Sequence, residues 1–281
     1  MFEIIQFLFL PFLACLTMIG IFGYFGIHVI EREIIFIDIA LAQLAAVGSA
    51  VAFILWNAES NSIVAYLCAF GFTLLASIFY AFTNKKITQI PQESIIGVSY
   101  AIAAAGALFI LSLASGGDDH LEDMLTGSIL WANWTDVIIC TIVFTIVGVF
   151  HIIFRKNFKK ISQNYHAATE DGVKFAAIWD FLFYVSLGMV ITISIRIVGV
   201  LVVFSLLIIP ATFSALFTNN WKIRLIYAWI IGTIASILGL LFSYRFDFSC
   251  GPSIVSFLAL ALVIAAIIIR LRNMRLARSS S

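Results

Sequence analysis

Apolar stretches about as long as a bilayer is thick follow one another along this chain, separated by a few polar residues each. They are Ile4–Val29, Ile34–Leu55, Ile63–Phe82, Ile95–Ala114, Val137–Phe154, Phe181–Phe217, Leu225–Phe242 and Ser253–Ile269. A helix needs roughly 20 apolar residues to cross a hydrocarbon core about 30 Å thick. In lipid every backbone N–H and C=O must be satisfied within the chain, so segments of this kind can only be spanning helices. The expected fold class is all-α, a polytopic transmembrane helical bundle of about 8–9 spans. Composition agrees: 63% of residues are hydrophobic and 11% charged, where a soluble domain has about 45–50% and about 25%. No polar gap is long enough for a soluble appendage, so residues 1–281 read as a single transmembrane domain.

Met1-Phe2-Glu3 lacks the positive n-region of a cleaved leader, so the first span is expected to be retained. Cys15, Cys68, Cys140 and Cys250 are scattered, with no Cys-x-x-Cys pair to suggest a disulfide framework or a zinc ribbon. Lys and Arg mark the cytoplasmic loops. With the N-terminus outside, the inside segments hold Arg32, Lys85, Lys86, Arg155, Lys156, Lys159, Lys160, Lys174, Lys222, Arg224, Arg270, Arg272, Arg275 and Arg278. Only Arg196 and Arg245 remain for the outer side, and the opposite orientation would strand the rest there. The C-terminus is then cytoplasmic, which requires Phe181–Phe217 to pass out and back, making nine crossings. The break is expected near Arg196 and Gly199, followed by either a short re-entrant helix or the second of two tilted helices. Arg196 is expected at that turn, snorkelling to water.

Two long polar segments result. Residues 115–135 lie outside and carry Asp118-Asp119-His120-Leu121-Glu122-Asp123. Residues 155–178 lie inside, basic at first and then polar. The basic tail Arg270–Arg278 reads as a topogenic stop and a headgroup contact, too short and too close to its span to suggest nucleic acid.

An ionisable side chain inside a span is costly and is a functional candidate by default. Asp38 stands one turn into Ile34–Leu55. At helical spacing it shares a face with Ala42, Ala45, Ser49 and Ala52, small residues that let helices approach closely. Gln43 lies about 140° around the helix from it. Asp38, Gln43 and Ser49 are the candidate translocation path, with Asp38 the candidate metal ligand. The plainer readings are a helix-end charge paired with Arg32 for Asp38, and an interhelical hydrogen bond for Gln43. The four histidines form no cluster by spacing: His28 and His151 fall near span ends, His166 in the inner loop and His120 among the outer acids. Asp180 and Asp247 at span boundaries read as anchors.

Three stretches carry a family resemblance: Gly23–Phe53 (GYFGIHVIEREIIFIDIALAQLAAVGSAVAF), Val198–Phe217 (VGVLVVFSLLIIPATFSALF) and Ser243–Val255 (SYRFDFSCGPSIV). In that order and spacing they resemble the integral-membrane permease subunits of zinc, manganese and iron ATP-binding-cassette importers. The resemblance implies a homodimer in a bacterial cell (inner) membrane, bound by ATPase subunits on its cytoplasmic side and fed by an extracytoplasmic metal-binding protein. It implies no enzyme activity and no bound cofactor in this chain. A divalent metal ion is the cargo, and ATP belongs to the partner subunit. The sequence has no Gly-x-x-x-x-Gly-Lys-[Ser/Thr] loop to cradle phosphates. Tyr165–Ile178 occupies the position of the family's coupling helix, which assigns ATPase coupling to Thr169, Glu170, Asp171 and Gly172.

The second span departs from the family pattern Gly-Asp-Ala-Leu-Ser-His. Aligned on Gly48 and Phe53, the acid and the imidazole become Ile39 and Gln43, while an acid stands one place earlier as Asp38. Aligned on Asp38, the histidine position is Ala42. A neutral carboxamide is a poor zinc ligand. The metal site is therefore built differently, with Asp38 and other spans, or the cargo is chelated or not a metal. An ion-gradient-driven secondary carrier is the alternative from another class. It would show internal repeats and several mid-span charges, and neither is evident here. A membrane-embedded enzyme would need a catalytic cluster of His, Asp or Glu, which the spacing does not supply.

Overall fold

In the computed structural model the described residues are 2–58, 62–83, 90–112, 129–163, 165 and 173–279. They are helical nearly throughout: α1 (Phe2–Glu31), α2 (Ile37–Trp56), α3 (Ile63–Thr83), α4 (Gln92–Ser112), α5 (Trp134–Ile153), α6 (Arg155–Gln163), α7 (Val173–Phe217), α8 (Trp221–Phe246) and α9 (Cys250–Ser279). All but α6 are long and apolar enough to span a bilayer. The outer faces of α3, α4, α5, α8 and α9 carry exposed Ile, Leu, Val and Phe such as Leu67, Ile102, Ile142, Ile234 and Ile267. In water that surface would aggregate, whereas in hydrocarbon it costs nothing. The polypeptide is a multi-span membrane protein built from helices alone among its described residues.

The helix α7 sits at the centre, packed against α1, α2, α3, α8 and α9. It is not straight. Gly199 has φ 79° and ψ 163°, a backbone conformation open essentially to glycine alone, and it divides α7 into two arms. The contacts of the arms show where each one goes. On the first arm Asp180 bonds Arg32 at the end of α1, Gly188 lies against Thr73 in the middle of α3, and Arg196 stacks on Tyr66 near the far end of α3. On the second arm Leu207 and Ala211 press on Gly26 of α1, and the chain arrives at Trp221, whose ring lies 4.7 Å from that of His28. The second arm thus ends at the level where the first began. At about 1.5 Å per residue each arm is close to a bilayer in length. Of the two expectations for Phe181–Phe217, the pair of helices is the one realised, so eight spanning helices make nine passes.

Close approach is built in where the arms meet α1. A Cβ placed on Gly26 would stand 2.0 Å from the Leu207 carbonyl oxygen. The helix α8 runs antiparallel to α1: Arg224 pairs with Glu31, Trp229 Nε1 donates to the Gly20 carbonyl at 3.1 Å, and Tyr244 packs on Phe7. One end of the bundle therefore collects Arg32, Arg155, Lys156, Lys159, Lys160, Lys222 and Arg224 and is termed the basic end. The other end carries exposed Trp56, Trp131 and Trp134, an aromatic girdle suited to a headgroup boundary.

Short polar signals close the elements. Asn133 and Asp136 form a reciprocal capping box that starts α5. Asn57 and Asp247, both left-handed, end α2 and α8. In α6, Phe158, Ile161 and Ser162 are buried while Arg155, Lys156, Lys159 and Lys160 are exposed, the pattern of a helix lying along an interface. One expectation fails at the turn of α7. Arg196 does not snorkel: its guanidinium lies 3.6 Å from the Tyr66 ring centroid, and both Nη atoms are shielded from solvent without a hydrogen-bond acceptor. Proximity to an aromatic face offsets the cost of keeping that cation out of water.

Candidate translocation site

The start of α2 places Asp38 in the first helical turn, where the exposed backbone N–H groups favour an acid. Asp38 Oδ1 accepts from the Ile39 N–H at 2.8 Å. Its other oxygen, Oδ2, is buried and has no hydrogen-bond partner, in a residue only 1% exposed. The face read from helical spacing is real: Ala42, Ala45, Ser49 and Ala52 are buried with it. Gln43 is half-buried, on another side of the helix. The helix α2 also comes so near α3 that a Cβ on Gly48 would lie 2.5 Å from the Cys68 carbonyl oxygen.

Asp38 and Ser49 lie along one buried stripe, about 16 Å apart by helical rise, so they can mark a path but cannot share one ion. Gln43 joins neither. The pairing of Asp38 with Arg32 is not formed, because Arg32 is committed to Asp180 at 2.8 Å and to Ser162 at 2.8 Å. Among the described residues, no group of three or more His, Cys, Asp or Glu is arranged to hold a metal ion. Thr169, Glu170, Asp171 and Gly172 lie outside the described residues, as do His120 and His166.

Spacing alone missed a second site at the basic end. His28, Arg32, His151, Ser162, Asp180 and Tyr184 are all buried there, drawn from α1, α5, α6 and α7. His28 Nδ1 lies 2.7 Å from Ser162 Oγ, and His151 Nδ1 lies 3.3 Å from Tyr24 Oη. The His151 ring stacks on Phe158 with centroids 4.0 Å apart. Tyr165, between α6 and α7, shares a 2.9 Å hydrogen bond with Tyr184. Burial, with Tyr184 and Asp180 adding to it, pushes the Tyr165 hydroxyl well above its ordinary pKa, so it stays a neutral hydrogen-bonding group. The only sequence signal for this knot was the presence of ionisable residues just inside span ends.

The family model described as the ABC 3 transport family matches residues 4–269. The chain belongs to that family. ABC 3 relatives include the manganese transport system membrane protein MntC of Listeria monocytogenes, 26% identical over 237 residues, covering 83% of this chain and 80% of that protein. The manganese import system permease protein ScaB of Streptococcus gordonii is 28% identical over 243 residues, 86% of this chain and 84% of the relative. The high-affinity zinc uptake system membrane protein ZnuB of Haemophilus influenzae is 26% identical over 256 residues, 91% and 94%. Among solved structures, PsaBC from Streptococcus pneumoniae in complex with Fab superposes with a TM-score of 0.77 at 25% identity, covering 94% of this chain and 93% of that one. In this ABC 3 member, Asp38 sits within nine passes arranged around a broken central helix.

Proposed function

We propose that this chain is the permease subunit of an ATP-driven importer of a divalent transition metal ion, manganese or zinc before iron. The observation that carries the reading is the family match over residues 4–269, in a set of relatives named for manganese and zinc transport. Two copies enclose the path, so each supplies part of the ligand set that no single copy completes among its described residues. Asp38 is the metal-facing carboxylate, and the Asp38–Ser49 stripe is the wall of the path. ATPase subunits dock at the basic end through Thr169, Glu170, Asp171 and Gly172, and a metal-binding protein delivers the ion to the aromatic-girdle end. In a bacterial cell membrane the basic end is cytoplasmic, which puts the N-terminus outside and the C-terminus inside. The ion is cargo, and hydrolysis belongs to the partner chain.

One observation favours a second reading, in which the same machine carries a chelated cargo. The carboxamide of Gln43 stands where the resembled importers place an imidazole, and a chelated ion needs fewer protein ligands. Uptake by cells expressing the permease with its ATPase separates the two. With bare Mn²⁺ or Zn²⁺ supplied, Asp38→Ala is expected to cut accumulation about tenfold or more at normal assembly, as for loss of a ~1.4 kcal/mol contact. Gln43→Ala is expected to do less. Undiminished uptake by Asp38→Ala would move the path off this helix, and transport only of chelated metal would select the second reading.

A further inference from the structure

Arg32 closes off α1, just before the corner that leads into α2 and Asp38, and it is completely buried. Its guanidinium holds two places far apart in sequence. Nε donates to Ser162 Oγ at 2.8 Å in the last turn of α6, and Nη1 donates to Asp180 Oδ1 at 2.8 Å in the first arm of α7. One face covers the Phe183 ring, with 3.9 Å to its centroid, and Tyr165 lies 5.5 Å away on another side. Because Nε can only donate, Ser162 Oγ is the acceptor, and the serine proton is free to go to His28 Nδ1. A single cation on α1 thereby organises a chain of bonds through three elements.

Ser162, in the last turn of α6, and Asp180, two turns into α7, stand on either side of residues 164–172, the connector that contains the proposed ATPase-coupling residues. Both ends of that connector are therefore fastened to the α1–α2 corner. Separating the guanidinium from the carboxylate would give up a buried charge-assisted hydrogen bond where no water is at hand to replace it, so the fastening resists stretching. A push on the connector is relieved at lower cost by carrying the corner along.

We infer that Arg32 is a positioning residue of the transport cycle. Through Ser162 and Asp180 it makes the α6–α7 connector and the α1–α2 corner one mechanical unit, so that displacement by the ATPase reaches the helix bearing Asp38. The inference rests on the ATP-driven reading and adds the residues that transmit it.

The test uses the permease–ATPase complex in sealed vesicles, with Mn²⁺ and Zn²⁺ as probes. Uptake and ATP hydrolysis are measured on the same preparation for wild type, Ser162→Ala, Asp180→Asn and Arg32→Lys. Ser162→Ala and Asp180→Asn are expected to retain the ATPase and hydrolyse ATP while ions moved per ATP fall about tenfold. Arg32→Lys, which keeps the charge but only one of the two bonds, is expected to fall by a similar factor. An unchanged ratio in assembled Ser162→Ala and Asp180→Asn overturns the inference. So does loss of the folded complex in all three variants, since the knot would then be a packing element only. A wild type that hydrolyses ATP without moving either ion, or moves ions without ATP, fails one step earlier and overturns the underlying reading as well.

Discussion

Two ionisable side chains meet the low-dielectric interior of this protein in opposite ways. Asp38 keeps one oxygen on a backbone N–H and leaves the other, buried, without a donor. Arg196 lays its cation on the face of Tyr66. An unsatisfied buried acceptor is costly, and in a path for cations that cost is a means of attracting one. Arg196 has an internal remedy, which predicts that Tyr66→Ala lowers the stability of the purified permease by about 0.5–2 kcal/mol while Tyr66→Phe keeps most of it. Thermal unfolding in detergent would show the difference, and equal melting of the two variants would show that the ring contributes nothing to holding the cation. Asp38 was legible from the sequence because a lone carboxylate among small apolar residues stands out against the cost of placing it in a span. The partner of Arg32 was not, since Asp180 is 148 positions away and nothing in local spacing relates the two.

Among the elements, α7 carries the topology. A 37-residue apolar run with Arg196 and Gly199 inside it has to break, and those two residues mark roughly where. Whether the second part returned fully depended on contacts with α1 and α8, such as Leu207 against Gly26, which no property of the run itself reports. The turn rests on one residue. Gly199→Ala would force a Cβ into a backbone conformation that L-residues rarely adopt, at a cost of about 1–3 kcal/mol. The expected outcome is a permease that melts lower or straightens this segment and loses its outward turn. Unaltered melting, together with unaltered protease resistance, would show that the backbone there is less constrained than its φ implies. The coupling residues 169–172 were proposed from resemblance and lie outside the described residues; what the structure describes is the flanks of that segment, at Ser162, Tyr165 and Asp180, whose bonds no local spacing reports.

For the whole molecule, nine passes place the basic end and the aromatic-girdle end on opposite sides of the bilayer. Positive residues carry the proposed orientation, and the contacts of α7 account for the odd count. In a background lacking Cys15, Cys68, Cys140 and Cys250, a cysteine at exposed Ser249 is expected to react with a membrane-impermeant thiol reagent on intact cells. One at exposed Lys156 should react only after permeabilisation, and the reverse pattern would invert the proposed orientation. The turn at Gly199 also bears on how the chain is made. No hydrophilic loop separates the two arms, so the insertion machinery receives them as one continuous cargo whose tip is Arg196. In the proposed orientation that tip travels outward with its positive charge, against an inside-negative potential, at about 2.3 kcal/mol for each 100 mV. Biogenesis of this permease should therefore depend on membrane voltage most steeply at the segment that, once folded, lies deepest in its core.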